Sequence, residues 1–404
     1  MGIMSEPEIS PPVQTFAAAA GGVAAVTQGN VSEVRQSEGM VLCIMVSKVM
    51  VWKKTNCMND DTWSVKVMPP LTTVQSSYTP AKLEKHLEFC EFSPGGDLLV
   101  GSSSLTTRYW SGSVWYYRRG VLADRVTDPA SCLAGLELEG GLSAARFQAE
   151  GRAVLGMDSG AVAGLRLARQ QDGDQVTFHL ELGPQLIEHD DILTGLDCWQ
   201  EGGVASVGQD ARLNILSPEL GLLHSYQPAH TGGCSAVACS PTNQHCLATA
   251  GRVAGEVRVW DTRQSRPART VYTSLEQPAC SVVYHGKDEP VDTLVVGTAT
   301  GALLLLDTRA SAVPLASLQC GDRPVVRLRA SPYTSGPGGK IALSAEDCRV
   351  WVVSLPSLSG LSPDLILDWE DSSSHTDYVR GLGWVGPAEL WTCGWDKRVV
   401  AHNL

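Results

Sequence analysis

Histidine, hydroxyl and carboxylate side chains recur in this sequence in two sets with the same spacing. In both sets the hydroxyl residue precedes the aspartate by four positions. The two sets are His189, Ser206 and Asp210, and His375, Thr392 and Asp396. These residue types could carry nucleophilic or acid–base catalysis. They could also form a buried hydrogen-bond chain, because buried polar groups must be paired. We interpret them as structural staples because of the repeat in which they lie.

The repeat consists of an apolar strand, a strand of small residues, a tight turn and an alternating strand. It occurs seven times, and its turn recurs every 45 to 52 residues. This period is that of the four-stranded blades of WD-repeat propellers. The copies begin at His86, Gly141, His189, His230, Ala279, Val325 and His375. The sequence therefore predicts an all-β fold, a seven-bladed WD-repeat β-propeller over residues 59–404.

Three further residues fit the structural interpretation. His230 opens the fourth copy, as His189 and His375 open theirs. Trp260 and Asp261 form the Trp-Asp dipeptide that names the repeat. We expect all three to support the blades and not to catalyse.

Sequence motifs of common active sites do not occur in the chain. There is no HExxH, no GxSxG and no glycine-rich strand-to-helix turn. The stretch SGPGGKI (335–341) resembles a phosphate-binding loop, but no Ser or Thr follows Lys340 and strands are predicted after it. We therefore predict no catalytic residues, no metal site and no cofactor, in a chain that is not an enzyme.

The first 58 residues differ from the repeats. Residues 1–39 are rich in Pro, Ala, Gly and Ser, and we predict a disordered N-terminal extension over residues 1–58. Within it, MVLCIMVSKVMVW (40–52) is too short to span a bilayer, and it is either a buried strand or a non-native leader. The last repeat ends without a fourth strand. We expect TWSVKV (62–67) to fill that place, since ring closure removes exposed sheet edges.

Charge and cysteine content limit the partners. The formal net charge of −12 argues against binding to a nucleic-acid backbone, and it reflects either solubility or attraction of basic partners. The 12 cysteines are scattered without metal-ligand spacing, which is typical of reduced thiols in an intracellular protein. We predict no direct contact with nucleic acid and none with a membrane.

Four residues are expected on one rim of one propeller face. Trp110 lies in the second-to-third strand turn of blade one beside Arg108, and Asp158 lies in the equivalent turn of blade two. Tyr378 lies in the entry loop of blade seven, which neighbours blade one in a closed ring. Trp, Tyr and Arg are enriched at interface hot spots. Trp110 is therefore either an anchor for a partner or an aromatic side chain folded over its own blade.

Two acidic stretches are predicted on the same face, EHDD (188–191) and DWEDSSSHTD (368–377). They are either solvated loops or a surface that attracts Arg- and Lys-rich tails.

Several stretches together resemble the WD-repeat subunits of the methylosome, the methylosome protein 50 family. They are LLVGSSSLTTRYWSGSVW (98–115), GMDSGAV (156–162), EHDDILTG (188–195), SHTDYVRGLGW (374–384) and WTCGWDKRVVAHNL (391–404). The resemblance covers residues 60–404. The N-terminal extension and the loop from Ala330 to Lys340 depart from it.

This resemblance implies a non-catalytic scaffold in the cytoplasm and the nucleus. Its partner would be the type II protein arginine methyltransferase, in a hetero-octamer with four of each chain. Trp110 matches the loop tryptophan that inserts into the partner's N-terminal barrel domain, Arg108 and Asp158 match other contact positions, and Tyr378 falls where the family can carry another aromatic. Arg-rich histone and Sm protein tails would be the substrates, and the methyl donor would bind the partner.

The sequence thus favours a subunit that stabilises the methyltransferase and presents its substrates. Two alternatives stay open. One is a generic WD-repeat adaptor of another complex, such as a ubiquitin ligase. The other is a propeller hydrolase, which would require carboxylates and histidines converging on the central channel.

Overall fold

The protein is represented by a computed structural model composed of β-strands and two short 3-10 turns, as the predicted all-β class requires. It describes residues 31–37, 40–45, 48–54, 63–67, 83–105, 110–172, 174–264, 267–285, 293–309, 313–333, 338–356 and 364–404. The chain divides into two compact units, Met1–Thr72 and Thr73–Leu404.

The first unit contains one antiparallel sheet. Its strands pair in chain order and are β1 (Val31–Ser37), β2 (Met40–Met45), β3 (Lys48–Lys54) and β4 (Trp63–Val67). Three of these strands lie in the segment predicted to be disordered, which therefore contains regular structure. The apolar run at residues 40–52, for which the sequence left a strand open, forms β2 and most of β3, because it is rich in strand-forming residues.

The predicted closing strand pairs elsewhere. Trp63–Val67 pairs with Lys48–Lys54, with Trp52 opposite Val65, and not as the fourth strand of the last blade. A strand alternating in this way can pair with any open edge, and a nearby partner costs less loop-closure entropy than one more than 300 residues away. The assignment of residues 62–67 to the last blade is therefore wrong in this structure.

The second unit is a seven-bladed propeller, as predicted, and each blade is an antiparallel sheet whose strands pair in chain order. Blade one contains β5 (His86–Phe92), β6 (Leu98–Leu105), β7 (Trp110–Tyr117) and β8 (Ala134–Leu138). Blade two contains β9 (Leu142–Ala149), β10 (Arg152–Met157), β11 (Ala161–Asp172) and β12 (Gln175–Ile187). Blade three contains β13 (Leu193–Cys198), β14 (Val204–Gly208), β15 (Leu213–Leu216) and β16 (Leu222–Tyr226).

The remaining blades follow the same order. Blade four contains β17 (Cys234–Cys239), β18 (Cys246–Gly251), β19 (Glu256–Asp261) and β20 (Pro267–Thr273). Blade five contains β21 (Ala279–His285), β22 (Thr293–Thr298), β23 (Ala302–Asp307) and β24 (Ala316–Gln319). Blade six contains β25 (Val325–Ala330), β26 (Gly339–Ala345), β27 (Val350–Leu355) and β28 (Ile366–Asp371). Blade seven has three strands among the described residues, β29 (Val379–Gly386), β30 (Glu389–Gly394) and β31 (Val399–Asn403).

The innermost strands close a ring, in which β29 of blade seven contacts β5 of blade one. Glycine makes this close approach possible. A Cβ on Gly381 would lie 2.7 Å from the backbone nitrogen of Cys90, and one on Gly383 would lie 2.9 Å from its carbonyl oxygen. Any larger residue at either position would push the first and last blades apart.

Apolar side chains between neighbouring blades form the core, since each sheet buries both faces against the next. Tryptophans on the third strands of three blades contribute to this core. They are Trp115, Trp260 and Trp351, and each is almost completely buried. Burying a Trp, Tyr or Phe side chain removes about 150–250 Å² from water. These side chains therefore make a large hydrophobic contribution to the packing of the blades.

The predicted staple residues of blade three hydrogen-bond to one another. His189 Nδ1 lies 3.0 Å from Asp210 Oδ1, and His189 Nε2 lies 2.9 Å from Ser206 Oγ. The chain continues through Asn214, whose Oδ1 accepts a 2.6 Å hydrogen bond from Ser225 Oγ. Three strands, the turn between β14 and β15, and the entry loop are thus joined by polar groups that satisfy one another.

Blade seven contains the same arrangement. His375 Nδ1 lies 3.1 Å from Asp396 Oδ2, and His375 Nε2 lies 2.7 Å from Thr392 Oγ1. Thr392 Oγ1 also lies 2.9 Å from His402 Nε2 on β31. His402 was not singled out from the sequence, and it links the last strand to the network.

Blade four uses a glutamate where the other two use aspartate. His230 Nδ1 lies 3.1 Å from Glu256 Oε1, and His230 Nε2 lies 2.6 Å from Thr249 Oγ1. Trp260 Nε1 donates a 2.8 Å hydrogen bond to the same threonine hydroxyl. The longer side chain of Glu256 reaches His230 from the third strand instead of from the turn.

Asp261 differs from the other predicted staple residues. Its carboxylate accepts hydrogen bonds from Arg263, which is two residues away and mostly exposed, at 2.9 and 2.6 Å. Asp261 thus stabilises a local turn at the end of β19 and is not part of the buried histidine network of blade four.

Two buried histidines predict how stability depends on pH. Burial lowers the pKa of both His230 and His402 below the value of about 6.5 that histidine has in an unfolded chain. Because the folded state favours the neutral rings, their contribution is present above pH 6.5 and is lost as the pH falls below it. We expect the midpoint of urea unfolding to be lower at pH 5.5 than at pH 7.5. Unfolding is measured by tryptophan fluorescence.

The variant His402→Gln is expected to show a smaller fall in the urea midpoint. His224→Gln, at an exposed position of β16, is the matched control and should keep the wild-type fall. An equal fall in both variants would contradict a role for the buried ring of His402.

Candidate partner-binding face

Trp110 and Arg108 lie at the end of the hairpin formed by β6 and β7. Trp110 is the first residue of β7, and its backbone is paired with Leu105, the last residue of β6. Arg108 lies outside the described residues, and so does the side chain of Trp110. The backbone therefore places Trp110 on the face where the second strands end and the third strands begin.

Asp158 lies on this face, against the connection between blades one and two. It follows β10 directly, and a Cβ on Gly141 would lie 2.6 Å from its Oδ2 and 3.6 Å from Ser103 Oγ. Ser103 belongs to β6, and its hydroxyl accepts a 2.9 Å hydrogen bond from the backbone of Leu142. Burial raises the pKa of Asp158, while the backbone N–H groups of Gly141 and Ser159 oppose this rise. Asp158 is thus placed beside the hairpin that carries Trp110.

Tyr378 approaches blade one from the other side. Its ring is 42% exposed and makes an edge contact with Trp395, at a centroid distance of 5.5 Å. Trp395 Nε1 donates a 3.0 Å hydrogen bond to Glu88 Oε1 on β5. The ring of His86, also on β5, makes a second edge contact with Trp395 at 5.1 Å. Tyr378 is therefore connected to the first strand of blade one.

These contacts define one rim, which we call the blade-one rim. It comprises Tyr378, Trp395, His86, the start of β7 at Trp110, and Asp158. His86 is paired with Ser103 across β5 and β6, so the contacts run without a gap from blade seven to blade two. Asp158 and Tyr378 thus lie on either side of the hairpin that carries Trp110, and the exposed ring of Tyr378 lies next to this hairpin.

Trp395 and His86 were missed by the sequence interpretation. Trp395 could have been identified from the sequence. It precedes the turn residue Asp396 in GWDK and thus occupies a turn on the same face as Trp110. His86 carried no such signal, since it opens its repeat like the other staple histidines. In blade one, the hydrogen-bond chain instead joins Ser102, Ser113 and Trp115, with distances of 2.8 and 2.9 Å.

The carboxylates of the two acidic stretches have nearby partners. Asp190 is paired with Arg212 at 2.7 Å, and Asp377 with Lys85 at 3.7 Å. Asp371 accepts hydrogen bonds from the backbone and hydroxyl groups of the serines that follow it. These contacts favour a structural role for the stretches, and a basic tail would compete with Arg212 and with the exposed Lys85.

The central channel contains ion pairs. Its lining includes Glu88, Glu91, Arg146, Arg327, Arg329 and Arg380, and no histidine among the described residues. Arg146 is paired with Glu91 and, at 2.9 Å, with Asp197, and Arg329 is paired with Glu91. Such a lining differs from the carboxylate and histidine set that a propeller hydrolase would require. Within the described ranges there is no group of three His, Cys, Asp or Glu residues that could hold a metal ion.

The described part of the chain has no helix long and apolar enough to cross a membrane.

Comparisons with known proteins agree with the resemblance seen in the sequence. No protein-family model matches the chain. The methylosome protein WDR77 of Xenopus laevis is 27% identical over 330 residues, which cover 80% of this chain and 91% of that protein. The chain is thus a WD-repeat relative of a methylosome protein. This similarity and the propeller fold support the prediction that it is not an enzyme.

A solved structure supports the fold alone. A chain in the crystal structure of a mitotic checkpoint complex superposes with a TM-score of 0.58 at 13% identity, and the match covers 87% of this chain and 99% of that one. At this identity the match indicates only a shared architecture.

Proposed function

We propose that this chain is a non-catalytic scaffold subunit of a methylosome, where it binds and stimulates a type II protein arginine methyltransferase. The observation that carries the proposal is the similarity to a methylosome protein along nearly the whole length of that protein. The blade-one rim supports it, because a Trp-bearing hairpin and an exposed tyrosine lie side by side on one face. Interface hot spots are enriched in these residue types.

The mechanism is positional. The chain would hold the methyltransferase through the blade-one rim and raise the local concentration of substrates near the active site of its partner. The substrates proposed are Arg-rich histone and Sm protein tails, and the stoichiometry is four copies of each chain. The methyl donor would bind the partner. We propose the cytoplasm and the nucleus as the places of action.

The exposed ring of Tyr378 is expected to contribute to binding. Tyr378→Ala should weaken binding to the methyltransferase roughly fivefold to tenfold, because the variant loses apolar contact area at the edge of the interface (about 1 kcal/mol). Affinity can be measured by biolayer interferometry with the purified methyltransferase.

A matched tyrosine provides the control. Tyr333 is 43% exposed, like Tyr378, but follows β25 at the opposite end of the blades. Tyr333→Ala should bind like the wild type. If the two variants bind equally well, the blade-one rim is not the binding surface. If the wild type does not bind, the proposed function itself is wrong.

A further inference from the structure

The central channel holds more positive than negative charge. Four arginines and three carboxylates meet there, Arg146, Arg327, Arg329 and Arg380 with Glu88, Glu91 and Asp197. They come from blades one, two, three, six and seven. A positive excess is unexpected in a chain with a formal net charge of −12. This excess suggests that a bound anion compensates the remaining positive charge of the channel.

Three of the four arginines have carboxylate partners. Arg146 and Arg329 share Glu91, Arg146 also pairs with Asp197, and Arg380 pairs with Glu88 at 3.4 Å. Glu91 is therefore already shared by two guanidinium groups.

Arg327 is the exception. Its Nε donates a 3.0 Å hydrogen bond to the carbonyl oxygen of Arg380, and its Nη2 donates one of 3.2 Å to the carbonyl oxygen of Ser143. Arg327 thus reaches from blade six to blades seven and two, and both of its acceptors are neutral. A guanidinium has five N–H donors, so this one has donors to spare.

The surroundings of Arg327 disfavour its charge. Burial and, to a smaller extent, the neighbouring Arg380 lower the pKa of Arg327 to about 9, against the attraction of Glu88 and Glu91. For Arg146, in contrast, burial is outweighed by Glu91 and Asp197, which raise its pKa. At neutral pH Arg327 is still protonated, and no carboxylate of the described residues forms an ion pair with it.

The space beside Arg327 fits a small ion. The channel cavity has a volume of about 80 Å³, and its lining includes Arg327 and Arg380 together with Glu88 and Glu91. A single water needs roughly 10–15 Å³ on this scale, so the cavity has room for an ion of a few heavy atoms and none for a peptide. The hydroxyl of Ser143 is buried and lies beside Gly156 of blade two, where an added Cβ would be 3.2 Å from Ser143 Oγ, so this hydroxyl is not part of the cavity wall.

We propose that the central channel binds a small tetrahedral oxyanion, inorganic phosphate or sulfate, through Arg327. The planar fork of a guanidinium matches two oxygens of such an ion, which explains the choice of arginine. This site is independent of the blade-one rim and of any methyltransferase.

The test is isothermal titration of the full chain with inorganic phosphate in a buffer without other oxyanions. The wild type should bind one phosphate per chain with a dissociation constant in the millimolar range or below. Arg327→Gln should weaken binding at least tenfold. Arg309→Gln removes a mostly exposed arginine at the end of β23 and should bind like the wild type.

Arg327→Lys is a second variant for the case that Arg327→Gln does not fold. It keeps the positive charge but loses the planar guanidinium group. It should also bind more weakly than the wild type. Thermal unfolding provides a second measurement, in which millimolar phosphate should raise the melting temperature of the wild type and not that of the Arg327 variants. The proposal would be overturned if binding were not saturable, or if the wild type and both Arg327 variants bound phosphate equally. Either result would indicate adventitious anion binding only.

Discussion

Replacing Trp110 with alanine is expected to abolish stable association with the type II protein arginine methyltransferase. A large aromatic side chain at the centre of an interface typically contributes about 2–4 kcal/mol on truncation, which is roughly a 30-fold to several-hundred-fold loss of affinity. The gross gain from burying about 150–250 Å² is larger, but part of it offsets the cost of association. Trp110 begins β7 at the centre of the blade-one rim, with Asp158 on one side and Tyr378 on the other.

Affinity is measured by titrating each purified variant against the methyltransferase, and melting temperatures check that the variants are folded. Trp110→Phe should recover part of the binding, since it keeps an aromatic ring. Tyr333→Ala on the opposite face should bind like the wild type. A folded Trp110→Ala variant with unchanged affinity would mean that this side chain covers its own blade.

Replacing Glu91 with glutamine is expected to lower the free energy of unfolding by about 3 kcal/mol. Glu91 is buried on β5 and pairs with Arg146 of blade two and Arg329 of blade six. Removing one partner of a buried ion pair typically costs about 3–5 kcal/mol, because the remaining charge is left uncompensated. The lower end applies here, since both arginines retain some contact with solvent.

The measurement is urea unfolding of the two proteins at pH 7.5. Glu181→Gln provides the matched control, because Glu181 is paired with Arg166, which is mostly exposed, on the hairpin of β11 and β12. Exposed pairs contribute about 0–1 kcal/mol, so this control should unfold close to the wild type. Equal destabilisation of the two variants would show that the channel pairs do not hold the ring together.

The fold and the staple networks could be predicted because both depend on short segments. The repeat period, and the spacing of hydroxyl and aspartate around His189 and His375, are features of one blade each. Glu256 escaped prediction because it lies on the third strand, whereas the pattern places an aspartate in the turn. Trp260 and Asp261 have different structural roles, since only the tryptophan is part of the buried network and Asp261 stabilises a local turn.

Features that depend on ring closure or on strand choice were harder to foresee. Glu91, Arg146 and Arg327 are far apart in the chain, and only the convergence of the inner strands brings them into one channel. The clustering of Asp158 and Tyr378 beside blade one was predictable, because repeat register and ring order suffice for it. The partner of Trp63–Val67 was not, because alternation alone does not select between two sheet edges.

The central proposal, that this chain is a subunit of a methyltransferase complex, is tested most directly by the mass of the assembly that it forms. The purified chain is mixed with the type II protein arginine methyltransferase, and the masses of the resulting species are determined by sedimentation velocity. We expect a single stoichiometric complex with four copies of each chain. Two components that sediment separately at micromolar concentration would contradict the proposal.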